Sequence, residues 1–234
     1  SIRVVGGHST DAPIVIDASS ASSRITISGV ADSFMAPPSG GDPFLTIRAG
    51  SPPVSLSNLT LTDGAKVRVD GGDVSVEGLR FLGGGGVAAK RRLSIARGAD
   101  GSPEAAAELL HADRPITLHG GVMRVRNTVL SGIGGGGILV TGGSLLLSHS
   151  EVRRCRAARG AALRILGGNV TLTGTLLEDN TATDSGGAVE VAGGGTLTLS
   201  NQTRLRGNSA HWGSSLVVSA QAHSGHTLAQ HRRP

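Results

Sequence analysis

Apolar and polar residues alternate in short runs along most of the chain. Gly168-Asn169-Val170-Thr171-Leu172-Thr173-Gly174 recurs as Gly195-Thr196-Leu197-Thr198-Leu199-Ser200-Asn201 and as Gly143-Ser144-Leu145-Leu146-Leu147-Ser148-His149. Shorter copies are Ile25-Thr26-Ile27-Ser28-Gly29, Val54-Ser55-Leu56-Ser57-Asn58, Val74-Ser75-Val76-Glu77-Gly78 and Met123-Arg124-Val125-Arg126-Asn127. Two apolar residues spaced by two, then a polar residue, is the pattern of a strand with one buried face. The closing residues Gly29, Asn58, Gly78, Asn127, His149, Gly174 and Asn201 are mostly Gly or Asn, types that tolerate a left-handed backbone. A sharp bend is expected after each strand.

The closing residues are spaced by 29, 20, 49, 22, 25 and 27 residues; the long gap is about two periods in length and contains an irregular insert. Each repeat carries two further strand-like pieces. One follows the bend, at Leu59 and Leu61, Leu79 and Phe81, Leu130, Val152, Leu177 and Leu205. The other follows a glycine step, at Ile138-Leu139-Val140, Leu163-Arg164-Ile165, Val189-Glu190-Val191 and Leu216-Val217-Val218. Three short strands in so short a period leave no room for the helix of a βαβ unit. The fold class expected is all-β: a single-stranded right-handed parallel β-helix of about eight coils, each stacked about 4.8 Å above the last. Its core is expected to stack Met123, Leu145, Val170 and Leu197 in one file and Val125, Leu147, Leu172 and Leu199 in another. The β-helix is expected over residues 1–220, interrupted by an insert at 90–114. There Ser102 and Pro103 precede an alanine-rich stretch suited to a short helix or loop. Residues 221–234 read as a polar, flexible tail.

Composition narrows the function. Glycine reaches 37 of 234 residues, about twice the ordinary share of roughly 7%. Aromatics are only 2%, too few for the girdles of a lipid-facing barrel or for a platform that stacks sugars or bases. No apolar run is long enough to span a membrane as a helix. The net charge of +5 comes from 20 arginines and 2 lysines against 17 acids, which reads first as a composition bias and second as a polyanion-binding surface. Cys155 is alone, which excludes a disulfide framework within the chain.

The later coils also resemble a known repeat. Gly186-Gly187-Ala188-Val189 matches the Gly-Gly-Ala-aliphatic block of chlamydial-type polymorphic outer-membrane proteins. Leu177-Glu178-Asp179-Asn180 and Leu205-Arg206-Gly207-Asn208 are similar to that family's Phe-x-x-Asn block, with Leu for Phe. The earlier part, around 15–27, looks like a generic pectate-lyase-like β-helix. The resemblance implies a surface-displayed or secreted stalk or adhesin module, extracellular or at the cell surface. Asn180 and Asn208 fall at equivalent positions in successive coils, where stacked amides form a structural ladder.

Candidate chemistry is sparse. Glycan-cleaving β-helices need convergent carboxylates. Asp63, Asp70 and Asp73, with Arg68 and Arg80 near in sequence, are the densest group, and Asp179 and Asp184 flank Asn180 far along the chain. The outward strand positions are expected at Ser55, Ser75, Arg124, Leu146, Thr171 and Thr198 on one sheet. On another they are expected at Leu139, Arg164, Glu190 and Val217, which leaves one acid between the two sheets. No catalytic, cofactor-binding or metal-binding residue is assigned, and no cofactor is expected. His223, His226 and His231 gather in the tail without a scaffold. The glycine runs at 83–86 and 134–137 lack the Lys-Ser/Thr of a phosphate loop. Arg153, Arg154, Arg156, Arg159 and Arg164 form the densest charge group and the candidate anion patch. The leading expectation is a non-catalytic structural or adhesive module, a segment of a larger surface or secreted protein. The alternatives are a polysaccharide lyase or hydrolase and a polyanion- or glycan-binding module. The expected partners are polysaccharide or another surface protein, with no specific nucleic acid, and association through uncapped β-helix ends is anticipated.

Overall fold

The computed structural model describes residues 2–4, 7–9, 13–18, 24–30, 34–36, 43–62, 64–83 and 114–218. The expected insert helix, Asp63, the expected tail and its histidines lie outside the described residues. Among the described residues every regular element is a strand. Three parallel sheets of eight strands each run the length of the stack. The first holds Ile2–Val4, Ile25–Gly29, Val54–Ser57, Asp73–Glu77, Val122–Arg126, Ser144–Ser148, Asn169–Thr173 and Thr196–Ser200. The second holds Gly7–Ser9, Phe34–Ala36, Thr60–Thr62, Arg80–Leu82, Val129–Ser131, Glu151–Arg153, Leu176–Glu178 and Arg204–Arg206. The third holds Ile14–Ile16, Leu45–Ile47, Val67–Val69, Ile116–Leu118, Ile138–Val140, Leu163–Ile165, Val189–Val191 and Leu216–Val218. One strand from each sheet makes a coil, and the eight coils are numbered here from the N-terminus. The chain is therefore a parallel β-helix.

Register follows the alternation. Met123, Leu145, Val170 and Leu197 stand in one file, and Val125, Leu147, Leu172 and Leu199 in the next. Except for the half-buried Leu199, all of these are buried. The bends between the first and second sheets at Asn58, Gly78, Asn127, His149, Gly174 and Asn201 all have φ between 45° and 64°. Gly29 departs from the expectation and stays in its strand, paired with Val4. Side chains at these bends lie across the glycine of the next coil. A Cβ on Gly78 would stand 2.8 Å from Asn58 Oδ1, and one on Gly174 would stand 3.1 Å from His149 Nδ1.

The passage from the second sheet to the third changes in length. In coil five it runs from Ile133 directly to Ile138, whereas in coil six it runs from Cys155 out to Leu163. The longer arches of coils six and seven carry an extra strand pair, Arg156–Arg159 beside Thr181–Ser185. They also fold back on the third sheet. A Cβ on Gly160 would lie 3.1 Å from Arg164 Cα, and one on Gly186 would lie 2.9 Å from the Glu190 nitrogen. This overturns the expectation that Arg164 and Glu190 face solvent; Leu139, one coil below Arg164 and also expected outside, is buried too. Arg164 and Glu190 answer the arch with a side-chain ion pair, described below.

Candidate functional site

The widening of the arch creates a packing problem that one side chain solves. When the longer coil-six arch is laid on the shorter coil-five arch, the carbonyls of Arg159 and Gly160 have no strand below them. Arg114, in coil four, reaches up to them. Its Nη1 donates to Ile138 O at 3.0 Å and Gly160 O at 2.9 Å, and its Nη2 donates to Arg159 O at 2.6 Å. The side chain is only 2% exposed although it ends the stretch expected to be a surface insert. The glycine run at 134–137 is what admits it, because a Cβ on Gly136 would stand 2.5 Å from the guanidinium carbon. Burial pulls the Arg114 pKa well down from the usual guanidinium value, to about 9, with the nearby positive charge of Arg164 adding to the effect. Cys155 lies in the same interior, and burial pushes its thiol up to about 11. It is an inert core residue rather than a nucleophile.

Above this node the interior polar groups form ladders. The Asn180 side chain donates through Nδ2 to Val152 O at 2.9 Å and to Asn208 Oδ1 at 3.0 Å, and its Oδ1 accepts from Cys155 N–H at 3.0 Å. Asn208 Nδ2 donates to Leu177 O at 2.9 Å. The amides thus serve backbone groups where the chain leaves the second sheet. A second ladder, not anticipated from the sequence, sits just after the other bend. Ser150 Oγ accepts from Thr128 N–H at 3.1 Å and donates to Ser148 O at 2.8 Å. Thr203 Oγ1 accepts from Thr175 N–H at 3.4 Å and donates to Ser200 O at 2.7 Å. The signal was a small hydroxyl residue following Asn127, His149 and Gly174 in turn.

The five arginines of the candidate anion patch do not share a face. Arg164 is buried and its Nε donates to Glu190 Oε2 at 2.6 Å, while Ser185 Oγ donates to Glu190 Oε1 at 3.2 Å. Arg159 donates to Asp184 Oδ2 at 2.6 Å across the arch pair, and Arg153 stands 3.4 Å from Glu151. Arg154 and Arg156 are exposed, Arg154 at a left-handed bend with φ of 54°. Of the acids considered for catalysis, Asp70, Asp73 and Asp184 face arginines. Asp70 accepts from Arg68 Nε at 2.8 Å, and Asp73 accepts from Arg124. Near Asp70, His119 Nδ1 lies 2.7 Å from Thr141 Oγ1. Burial and the charge of Arg68 lower the His119 pKa, with Asp70 opposing them. Asp179 belongs to coil seven and Asp73 to coil four, so three coil steps separate them. Among the described residues no three metal-ligating side chains converge.

A surface depression of about 490 Å³ lies at the bend between the first and second sheets, lined by His149, Gly174, Thr175, Leu176, Asn201, Gln202 and Arg204. Register explains it. Thr173 pairs with Ser200, and Leu176 pairs with Arg204. Coil eight therefore spans with Asn201, Gln202 and Thr203 what coil seven spans with Gly174 and Thr175. Asn201 and Gln202 are both left-handed, with φ of 45° and 60°, and the widened turn overhangs the place where Gly174 has no side chain. Imidazole, amide and guanidinium groups thus face an open space with an aliphatic floor. The lining holds no acid.

No protein-family model matches the chain, and no curated protein matches its sequence. The fold alone defines the class.

Proposed function

We propose that this parallel β-helix is a non-catalytic structural and adhesive module of a surface or secreted protein. The observation that carries the reading is that six of its acids are engaged by arginines at scattered places. Asp70, Asp73, Glu151, Glu178, Asp184 and Glu190 each lie in an ion pair with an arginine, and those pairs are dispersed over several coils and faces. General acid–base cleavage of a glycosidic bond uses two carboxyl groups roughly 5–10 Å apart on either side of the bond, with different proton affinities. Carboxylates paired one by one with guanidinium groups at separate places do not converge on one bond. The resemblance of coils six to eight to polymorphic outer-membrane repeats supports display at a surface. A stack whose sheets run unbroken over eight coils suits a spacer that presents its flanks to partners.

The test is incubation of the chain with acidic and neutral polysaccharides, with and without calcium, reading new chain ends. No product is expected. Turnover that disappears in Asp70→Ala or Asp73→Ala would overturn the reading in favour of a lyase or hydrolase.

A further inference from the structure

We infer that the depression beneath the coil-eight bend is a binding site for a sulfated sugar, with Arg204 as its anion contact. This deepens the adhesive reading and rests on it. The chemistry of the lining is one-sided: the Arg204 guanidinium, the Asn201 and Gln202 amides and the His149 ring offer donors, and no carboxylate faces them. The neighbouring acids are engaged elsewhere. Glu151, one coil below Leu176, is held 3.4 Å from Arg153, and Glu178 is held 3.3 Å from Arg206. Arg204 ends the file of Glu151 and Leu176 in the second sheet, two coils above Glu151, and has no acidic partner among the described residues. An exposed guanidinium among donors is an anion site awaiting its anion.

Geometry selects the kind of anion. Donors reach the space from both coil sides, His149 from below and Asn201 and Gln202 from above, with Arg204 at the flank. A tetrahedral sulfate accepts hydrogen bonds from several directions, whereas a planar carboxylate is matched best by one coplanar fork. The floor of Gly174 and Leu176 supplies an apolar surface for the body of a sugar ring. A space of about 490 Å³ falls within the range of small-ligand sites. Two structural features made this space: the extra residue of the coil-eight bend and the missing side chain at Gly174.

The experiment is calorimetric titration of the full chain with a sulfated hexasaccharide, its desulfated counterpart and inorganic sulfate. The sulfated hexasaccharide is expected to bind, more weakly as salt is raised. Arg204→Gln should weaken it about tenfold or more, as loss of a charged hydrogen bond does. Arg80→Gln, four coils below in the same sheet, should leave it unchanged. Equal binding of the desulfated sugar, equal weakening by both variants, or inorganic sulfate binding as tightly as the hexasaccharide would each overturn the site. The two readings fail separately. Shortening of the hexasaccharide would overturn the non-catalytic reading, whereas an intact hexasaccharide that does not bind would overturn the site alone.

Discussion

Arg114 has the least ordinary environment in the described chain. Three backbone carbonyls from two later coils accept its hydrogen bonds, and a glycine makes room for its head. A buried carbonyl without a donor costs about 1–3 kcal/mol, and a charged donor is worth more than a neutral one. Arg114→Met keeps the length of the side chain and removes every donor. It is expected to lower the unfolding free energy in urea by about 3–5 kcal/mol. A loss under about 1 kcal/mol would mean that the carbonyls find other partners. Cys155, in the same interior, supplies a reporter. With its pKa raised to about 11, roughly one thiol in a thousand is ionised at pH 8, and the sulfur is enclosed. Iodoacetamide at pH 8 should therefore label the native chain only as fast as it unfolds. Rapid labelling without loss of structure would contradict the packing. Neither role was legible in the sequence. Partners that are backbone carbonyls leave no residue-type signature, and the glycine run at 134–137 offered only the phosphate-loop comparison, which it fails.

Strands and ladders were far more readable, because alternation is a property of the residues themselves. Leu172 was placed between Leu147 and Leu199 by counting along the repeats, and it is paired with both. It is fully buried, so Leu172→Ala is expected to cost about 2–5 kcal/mol. A change under about 0.5 kcal/mol in equilibrium unfolding would contradict that register. Asn180 acts at the next corner. Asn180→Ala removes the acceptor of Cys155 N–H and the donor to Val152 O, with an expected cost of about 2–4 kcal/mol. Asn180→Asp restores the acceptor but not the donor and should fall between; equal stability of all three would refute the ladder's role. What the repeats did not disclose was which outward positions stay outward. Arg164 and Glu190 occupy the solvent side of an ideal strand, yet the arch covers them, because arch length is set by spacing between strands rather than by the strand pattern. The depression at His149 escaped for a related reason, since one added residue in a bend resembles ordinary variation in repeat length.

Across the whole stack, stability should be graded rather than uniform. Coils four to seven hold the buried arginine, Asn180, the hydroxyls of Thr128, Ser150 and Thr175, and the third-sheet ion pair. In coil eight, Leu199, Leu205 and Leu216 are only partly buried and Trp212 is 65% exposed. In a linear repeat each coil is stabilised chiefly by its neighbours. Amide hydrogen exchange is expected to be slowest at Ile138–Val140, Leu163–Ile165 and Val189–Val191 and clearly faster at Leu216–Val218. Uniform protection along the third sheet would show that the stack opens only as one unit. Arg114 also sets an order in time. Its acceptors lie as far as 46 residues ahead, at Gly160. A chain emerging from synthesis and wound only through coil five would enclose a guanidinium with Ile138 O as its sole acceptor, so the winding is expected to wait there. Coils four to six should then close together, as a single kinetic step in a process that elsewhere advances one turn at a time. Pulse-labelled exchange during refolding would reveal it as simultaneous protection of Ile116–Leu118 and Leu163–Ile165. Protection of the first well before the second would contradict it.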